Sequence, residues 1–299
     1  MPHLKLLSAA TAFFLSACTP AIPPADPAYL KAHADWNAAR MAELKAPDGW
    51  LALAGLFWLE PGANTFGSDS SNQVIFPAKS PARMGTFYLE GDSVRMELAP
   101  DIQAIESTAQ NKVSSATLRL IPGTTPATYR REALEWVLLE RGGRYGIRLW
   151  DRENPAMEAV KNIPTFPVHP GWVTKATLVP VDSSRKVRMQ NVLGMTIEQA
   201  SAGILEFKKA GATYRLEALE DADGYFLIFA DATTGDQTYS GGRYLHAPLA
   251  DKNGQTILDF NKAYNPPCVF TPYATCLLPP AANRLEIAIE AGEKTLPGH

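Results

Sequence analysis

The C-terminal half of the sequence concentrates side chains that suit acid–base or ligand-binding chemistry. Asp231 and Asp259 are candidates for a general acid and a general base, and the Arg243 guanidinium is suited to hold an anionic group. Further candidate ligand-binding residues are Arg148, Thr233, Tyr239, Asn261, Tyr264 and Asn265. The set predicts a pocket for a small polar ligand or, alternatively, the paired Asp residues of a hydrolase-like enzyme.

A structural interpretation of the same residues stays open. The D-A-T-T-G-D segment at 231–236 is typical of a hairpin loop whose Asp and Thr side chains bond the local backbone. Arg243 and Asp259 are also candidates for a structural ion pair. An enzyme requires two carboxylates facing one another in a cleft, and a binding protein requires an open pocket. A purely structural protein would enclose Arg243 and the acids in buried pairs.

Several other functional classes lack their sequence motifs here. The chain has no G-x-S-x-G elbow, no H-E-x-x-H pair, no P-loop and no G-x-G-x-x-G segment, and its five histidines are dispersed. We therefore expect neither a metal site nor a cofactor. The formal net charge of −3 provides no excess of basic residues for a nucleic acid, so no such partner is expected.

The N-terminal segment predicts export and a lipid anchor. Lys5 precedes an apolar stretch at 6–15, and the segment ends in Leu-Ser-Ala-Cys at Cys18. It resembles a bacterial lipoprotein signal, which implies cleavage of residues 1–17 and lipidation of Cys18. Residues 18–26 are Pro-rich and predict an extended tether. Thr19 rather than Asp follows the cysteine, which by resemblance to enterobacterial sorting rules implies the outer membrane. We therefore expect a membrane-anchored envelope protein that faces the periplasm.

Cys268 and Cys276 are the remaining cysteines of the mature body. An even pair in an oxidising compartment indicates a disulfide bond. The C-x7-C spacing lacks the close pairing typical of zinc sites, which argues against a metal at these residues. We therefore expect Cys268 and Cys276 to form a disulfide.

The elements that position these residues are a helix and many short strands. Asp26-Pro27 predicts a helix start, and residues 28–45 have an amphipathic pattern. The apolar run at 50–59 predicts a strand pair turning at Gly55 or a core helix. Beyond it, strands are expected at 64–67, 73–76, 85–89, 93–98, 134–141, 145–150, 214–219, 225–230 and 238–245. The prediction is a mainly β fold, an antiparallel sandwich or barrel, with an N-terminal α-helix.

Six stretches of the sequence resemble the DUF1684 family of uncharacterised bacterial proteins. They lie at 46–69, 147–151, 229–245, 259–276, 283–285 and 291–294. The resemblance implies one family unit at 27–299, which can divide into β subdomains at about 47–125 and 126–299. It implies no activity. The leading hypothesis is an envelope lipoprotein that binds a small polar ligand in a C-terminal pocket, with a hydrolase-like enzyme or a purely structural lipoprotein as alternatives.

Overall fold

The computed structural model describes residues 25–296. The signal segment, Cys18 and most of the tether lie outside these residues. Within the described range the fold is mainly antiparallel β-sheet preceded by one long helix, which confirms the predicted fold class. None of the helices in this range is long and apolar enough to cross a membrane.

Helix α1, Pro27–Leu44, begins where the sequence predicts. The Asp26 side chain accepts a hydrogen bond from the backbone N–H of Ala28 at 2.9 Å, and Pro27 occupies the first helical position. The helix buries His33 and Leu44. A second, short helix, α2, spans Ala156–Ala159.

Two sheets form an N-terminal sandwich around one apolar core. Phe66 stacks on Phe87 with ring centroids 4.2 Å apart, and Trp136 packs edge-on against Phe66. The five-stranded sheet contains β2 (Gly62–Gly67), β3 (Val74–Ile75), β4 (Gly85–Glu90), β5 (Ser93–Leu98) and β8 (Ser115–Leu118). The six-stranded sheet contains β1 (Leu53–Trp58), β6 (Ala104–Glu106), β7 (Lys112–Val113), β9 (Thr128–Arg131), β10 (Leu134–Arg141) and β11 (Arg144–Asp151).

A seven-stranded antiparallel sheet forms the C-terminal lobe. Its strands are β12 (Val173–Val179), β13 (Lys186–Gln190), β14 (Thr196–Lys209), β15 (Ala212–Asp221), β16 (Gly224–Phe229), β17 (Arg243–Pro248) and β18 (Gln255–Asp259). The hydrogen-bonded order is β17-β16-β15-β14-β12-β18, with β13 on β14. The Thr256 hydroxyl donates to the Pro248 carbonyl at 2.6 Å and so joins the two end strands. The sheet is therefore nearly closed around its apolar interior.

The apolar run at 50–59 folds differently from either expectation. It contains one strand, β1, which continues through Gly55 and pairs with β11 along its length. A register shift between Leu53 and Gly55 takes the place of the expected turn. Residues 50–52 form a turn that precedes β1, and within β1 the antiparallel pairing with β11 provides the backbone partners, so neither a turn at Gly55 nor a helix forms there.

Two predicted boundaries also need correction. The strand expected at 238–245 begins only at Arg243, because Gly242 has φ +83° and ends a turn at that point. The first β unit extends to Asp151, beyond the expected boundary near residue 125, since β9, β10 and β11 pair within the sheet that contains β1.

Candidate functional site

Asp231 and Arg243 form a closed ion pair in the interior of the C-terminal lobe. Both side chains are 0% exposed, and Arg243 Nη2 lies 2.7 Å from Asp231 Oδ2. The guanidinium also donates to the carbonyls of Ile289, at 2.9 Å, and Ala291. Asp231 Oδ1 accepts from the Thr233 N–H at 2.8 Å and from its hydroxyl at 2.6 Å. Neither charge faces open space, which is the enclosed arrangement expected of a structural pair.

Asp259 and Asn261 lie beneath helix α1. The Tyr29 hydroxyl is 2.8 Å and 2.9 Å from the two Asp259 carboxylate oxygens. Asn261 Oδ1 accepts from the His169 N–H at 2.9 Å, and the Asn261 carbonyl lies 2.9 Å from His33 Nε2. Burial, reinforced by the bond to Asp259, raises the pKa of the Tyr29 phenol. These contacts dock the helix, so Asp259 and Asp231 have separate partners and do not share a cleft.

The other predicted site residues occupy several different environments. Thr233 is buried within its own loop, and Tyr239 is half-buried. Asn265 is fully buried and donates through Nδ2 to the Lys294 carbonyl at 2.8 Å. Arg148 lies on β11 of the N-terminal sandwich. Of the predicted set, Tyr264 lines the groove described next.

Tyr264 lines a groove between helix α1 and the C-terminal lobe. The cavity has a volume of about 650 Å³, within the range typical of small-molecule sites. Aromatic side chains form much of its wall: Trp36, Trp50, Phe226, Tyr244 and Tyr264. Its charged or titratable side chains are Arg40, Glu43, Asp221, His246 and Lys262. The groove therefore combines flat apolar surfaces with groups of both charge signs.

His246 bridges a carboxylate and a phenol in this groove. Its Nδ1 lies 2.8 Å from Asp221 Oδ2, and its Nε2 lies 2.8 Å from the Tyr264 hydroxyl. Because an ionised carboxylate only accepts, we assign the proton of the neutral ring to Nδ1, and Nε2 then accepts from the Tyr264 O–H. The imidazole stacks on the Tyr264 ring at 5.7 Å and on Phe226 at 5.0 Å. These contacts fix both the tautomer and the orientation of the ring, as a proton relay requires.

Neighbouring strands bring this hydrogen-bonded chain together. Asp221 ends β15, and Phe226 on β16 pairs directly with His246 on β17. Tyr244 lies two residues before His246 and therefore on the same face of β17. The Tyr264 N–H and carbonyl bond the Tyr244 backbone at 2.9 Å and 2.8 Å, which aligns the 259–276 loop with this strand.

Arg40 connects the groove to a buried carboxylate. Its Cζ lies 4.5 Å from the centre of the Tyr264 ring, and Nη2 donates to the Asn265 carbonyl at 3.0 Å. Its Nε lies 3.2 Å from Glu293 Oε1, and the Glu293 side chain is only 2% exposed. Burial raises the pKa of Glu293, and the Arg40 charge opposes that change. Burial also raises the pKa of the Tyr264 phenol, again against Arg40.

Cys268 and Cys276 are free thiols in this structure, so the expected disulfide is not confirmed. The Cys268 N–H donates to Cys276 Sγ at 3.0 Å, which keeps the two residues adjacent while Sγ acts as an acceptor. Pro267, next to Cys268, lines the groove. Among residues 25–296, no group of three or more His, Cys, Asp or Glu side chains could hold a metal ion.

The sequence analysis identified Tyr264 as a site residue but not its partners Asp221 and His246. A signal was present in the strand at 243–248, where Tyr244 and His246 alternate on one face. Asp221 had no such signal, because an acid in the D-A-D-G segment at 221–224 is typical of any hairpin turn.

The fold and groove together define a mainly β protein with a small-molecule-sized cleft between a helix and a nearly closed sheet. Residues 158–294 match the family model of DUF1684, described as a protein of unknown function. The resemblance is thereby confirmed over this range, which contains the 229–245 and 259–276 stretches. The stretches at 46–69 and 147–151 precede the match.

The chain is also similar to proteins of known structure. The solution NMR structure of an uncharacterized protein from Haloarcula marismortui is 29% identical to it, with a TM-score of 0.40. The similarity covers 48% of this chain and 80% of that one. No curated protein matches the chain.

Proposed function

We propose that the chain binds a small polar ligand with one apolar face in the groove between helix α1 and the C-terminal lobe. The observation that carries this proposal is the His246 imidazole, held between Asp221 and Tyr264 in the wall of an aromatic-lined cavity of about 650 Å³. An oriented ring of this kind offers defined hydrogen-bonding geometry beside surfaces on which a flat ligand stacks.

The charges in the groove indicate the class of ligand. Lys262 and Arg40 are accompanied by the acids Glu43 and Asp221, so the lining has no strong excess of either sign. Arg40 is already engaged by Glu293. A neutral or zwitterionic ligand therefore fits the groove better than a polyanion. Sugar units and short peptides combine polar groups with an apolar face.

Native mass spectrometry and tryptophan fluorescence test this proposal. The full chain, purified from the envelope, is first inspected for a co-purifying small molecule. Neutral oligosaccharides, amino acids and dipeptides are then titrated while tryptophan fluorescence is recorded. We expect saturable binding by at least one class, weakened about tenfold by Trp36→Ala.

Trp172→Ala is the matched control for this test. Trp172 packs edge-on against Phe260 with ring centroids 6.1 Å apart and does not line the groove. Its replacement is expected to leave ligand binding intact. Equal loss of binding in the two variants would contradict a site in the groove, as would the lack of binding by every class in the panel.

Acid–base catalysis in the same groove is a second candidate, favoured by the Asp221–His246–Tyr264 chain. His246 and Tyr264 would then act as the acid and base in place of Asp231 and Asp259, the candidates from the sequence, because Asp231 is enclosed in an ion pair with Arg243. The test is to incubate bound ligands with the protein and measure new masses. If His246→Gln retained binding and stopped turnover, catalysis would be supported. If ligands were recovered unchanged from the wild-type protein, catalysis would be refuted and only the binding function would remain.

We also propose that the chain is anchored in the bacterial envelope through Cys18, with its body in the periplasm. This rests on the lipoprotein-like sequence at 1–18 and on the Pro-rich tether that follows. Cell fractionation is the test. Wild-type protein is expected in the outer-membrane fraction with a lipid-modified N-terminus, and Cys18→Ser is expected without that modification. Unmodified wild-type protein in the soluble fraction would refute the anchor.

A further inference from the structure

Arg148 places a charge on the outer face of the N-terminal sandwich. It lies at the middle of β11 between Ile147 and Leu149, both 0% exposed in the sandwich core. Side chains alternate along a strand, so Arg148 points to the opposite face of the sheet. There it lies directly across from Val137 on β10 and Leu56 on β1, which are both apolar.

The Arg148 guanidinium has no anionic partner among residues 25–296. Its Nε is buried without a hydrogen-bond partner, and no described carboxylate lies within salt-bridge distance of it. Arg243 and Arg40, the protein's other strongly buried arginines, are both paired with carboxylates. Burial lowers the pKa of Arg148 to about 10, which still leaves it charged at neutral pH. An unpaired charge in this position is unfavourable unless an anion joins it.

A largely apolar cavity of about 580 Å³ opens beside this charge. Its apolar lining includes Leu120, Ile121, Pro122, Val137, Leu139 and Trp150. The ring of Trp50 lies 5.4 Å from the Arg148 guanidinium carbon on the flank of the site. The cavity thus has a cation against an apolar wall.

The acids in this cavity do not neutralise Arg148. Glu135 is engaged by Arg152 and by the Thr128 hydroxyl, the latter at 2.6 Å. Glu140 accepts a hydrogen bond from the Gly143 N–H within its own hairpin. Asp48 is exposed, and the cavity contains a second cation, Arg141.

We propose that this cavity binds an organic anion with an apolar body, whose acidic head group pairs with Arg148 while its chain contacts the apolar wall. The linings of this cavity and of the groove of the proposed function share no residue, and Trp50, which lines the groove, lies between them beside Arg148. A carboxylate and a phosphate monoester both supply the required head group.

Calorimetric titration of the full chain carrying Cys18→Ser tests the proposal without attached lipid or detergent. The probes are octanoate, octyl phosphate and the uncharged octanol. We expect at least one of the two anions to bind saturably and octanol to bind at least about tenfold more weakly. The affinity of the Arg148→Met variant for the anion should fall by a similar factor. Comparing the two anions identifies the preferred head group.

Arg144→Met is the matched control, because Arg144 is an exposed arginine on the same strand and stacks on Trp58 rather than lining the cavity. It should bind the anion as the unsubstituted chain does. The melting temperature of Arg148→Met is expected to be no lower than that of the unsubstituted protein, because the substitution removes an unpaired charge. A melting temperature in this range establishes that the variant is folded. Binding of neither anion, equal binding of octanol, or full binding by a folded Arg148→Met variant would each overturn the proposal.

Discussion

Arg243 stabilises the interior of the C-terminal lobe, and its replacement should be costly. In Arg243→Met the Asp231 carboxylate would stay buried without its cation, and the carbonyls of Ile289 and Ala291 would each lose a donor. We expect the free energy of unfolding to fall by about 3–5 kcal/mol. Urea denaturation followed by circular dichroism measures this change.

Two comparisons make the Arg243 experiment specific. Arg215→Met, which breaks an exposed pair with Glu206, should change stability by less than about 1 kcal/mol. The double variant Asp231→Asn/Arg243→Met should lose less than the sum of its single changes, because it removes the uncompensated charge. An Arg243→Met variant as stable as the wild type would show that Asp231 needs no partner.

Cys268 and Cys276 give a prediction that depends on the compartment. On export, exchange with a partner protein's disulfide would join the two sulfurs, while the partner's disulfide takes up both electrons and is reduced to thiols. The closed loop is short, and the chain-entropy relation gives a gain of about 2.5 kcal/mol. Protein purified from the envelope should therefore lose stability on reduction, measured by urea denaturation with and without dithiothreitol. A Cys268→Ala/Cys276→Ala variant should show no such dependence, and an unchanged wild-type curve would count against the bond.

The hydrogen-bond partners of a side chain could be predicted from the sequence where the two residues are close along the chain. Of the two interpretations of the 231–236 segment, a pocket edge or a loop with local side-chain bonds, the second agrees with the hydrogen bond that Thr233 donates to Asp231. The carboxylate partner of Arg243 is Asp231 and not Asp259, which was the candidate for a structural ion pair. Asp259 instead accepts a hydrogen bond from the Tyr29 hydroxyl. Tyr29 and Asp259 are separated by 230 positions, so composition and spacing carry no signal for that contact.

Helix α1 is attached to the lobe through polar contacts, which gives a pH-dependent prediction. Burial and the neighbouring Asp259 charge raise the pKa of Tyr29 above its value in the unfolded chain. The folded state therefore holds the phenolic proton of Tyr29 more tightly than the unfolded chain does. The resulting contribution to folding stability is complete below the pKa of Tyr in the unfolded chain, about 10, and is lost as the pH rises above that value. Tyr29→Phe should weaken the docking at neutral pH and reduce the alkaline loss.

Hydrogen exchange of the α1 amides between pH 7 and 9, together with urea denaturation up to pH 11, measures both effects. At neutral pH, Tyr29→Phe is expected to cost about 1–3 kcal/mol, since it leaves Asp259 with fewer donors. Tyr273→Phe is the control, because Tyr273 is 36% exposed. Identical alkaline profiles for Tyr29→Phe and the wild type would contradict the assigned role.

Elements were predictable where turn residues separate them. The strands at 93–98 and 134–141 have the predicted bounds, and each is joined to its neighbouring strand by a hairpin turn, at Gly91 and at Gly142-Gly143. The long strand β14 was not identified, since it passes Gly203, at φ +131°, through a register shift rather than a turn. Pairing with β12, β13 and β15 holds it as one strand, and that tertiary pairing is invisible in a local pattern.

Helix α1, near the N-terminus, packs on the C-terminal lobe and forms one side of the groove. The DUF1684 match begins at residue 158, yet Trp36, Arg40 and Glu43 of helix α1 line the groove together with His246 from within the match. The amphipathic pattern of α1 indicated a helix on a protein surface but not which surface. The groove is therefore a property of the assembled chain and not of the matched segment alone.

This coupling predicts that the C-terminal lobe depends on the helix. Residues 152–299 expressed alone would leave Glu293 buried without the Arg40 guanidinium and Asp259 without the Tyr29 hydroxyl. We expect a lower melting temperature than for the full chain, and a rise on addition of a peptide spanning 25–49. An Arg40→Met peptide should bind at least about tenfold more weakly, because it leaves the carboxylate unpaired. A Lys31→Met peptide is the control, since Lys31 bonds only the exposed Asp35. A fragment whose melting temperature no peptide changes would show that the lobe is complete without the helix.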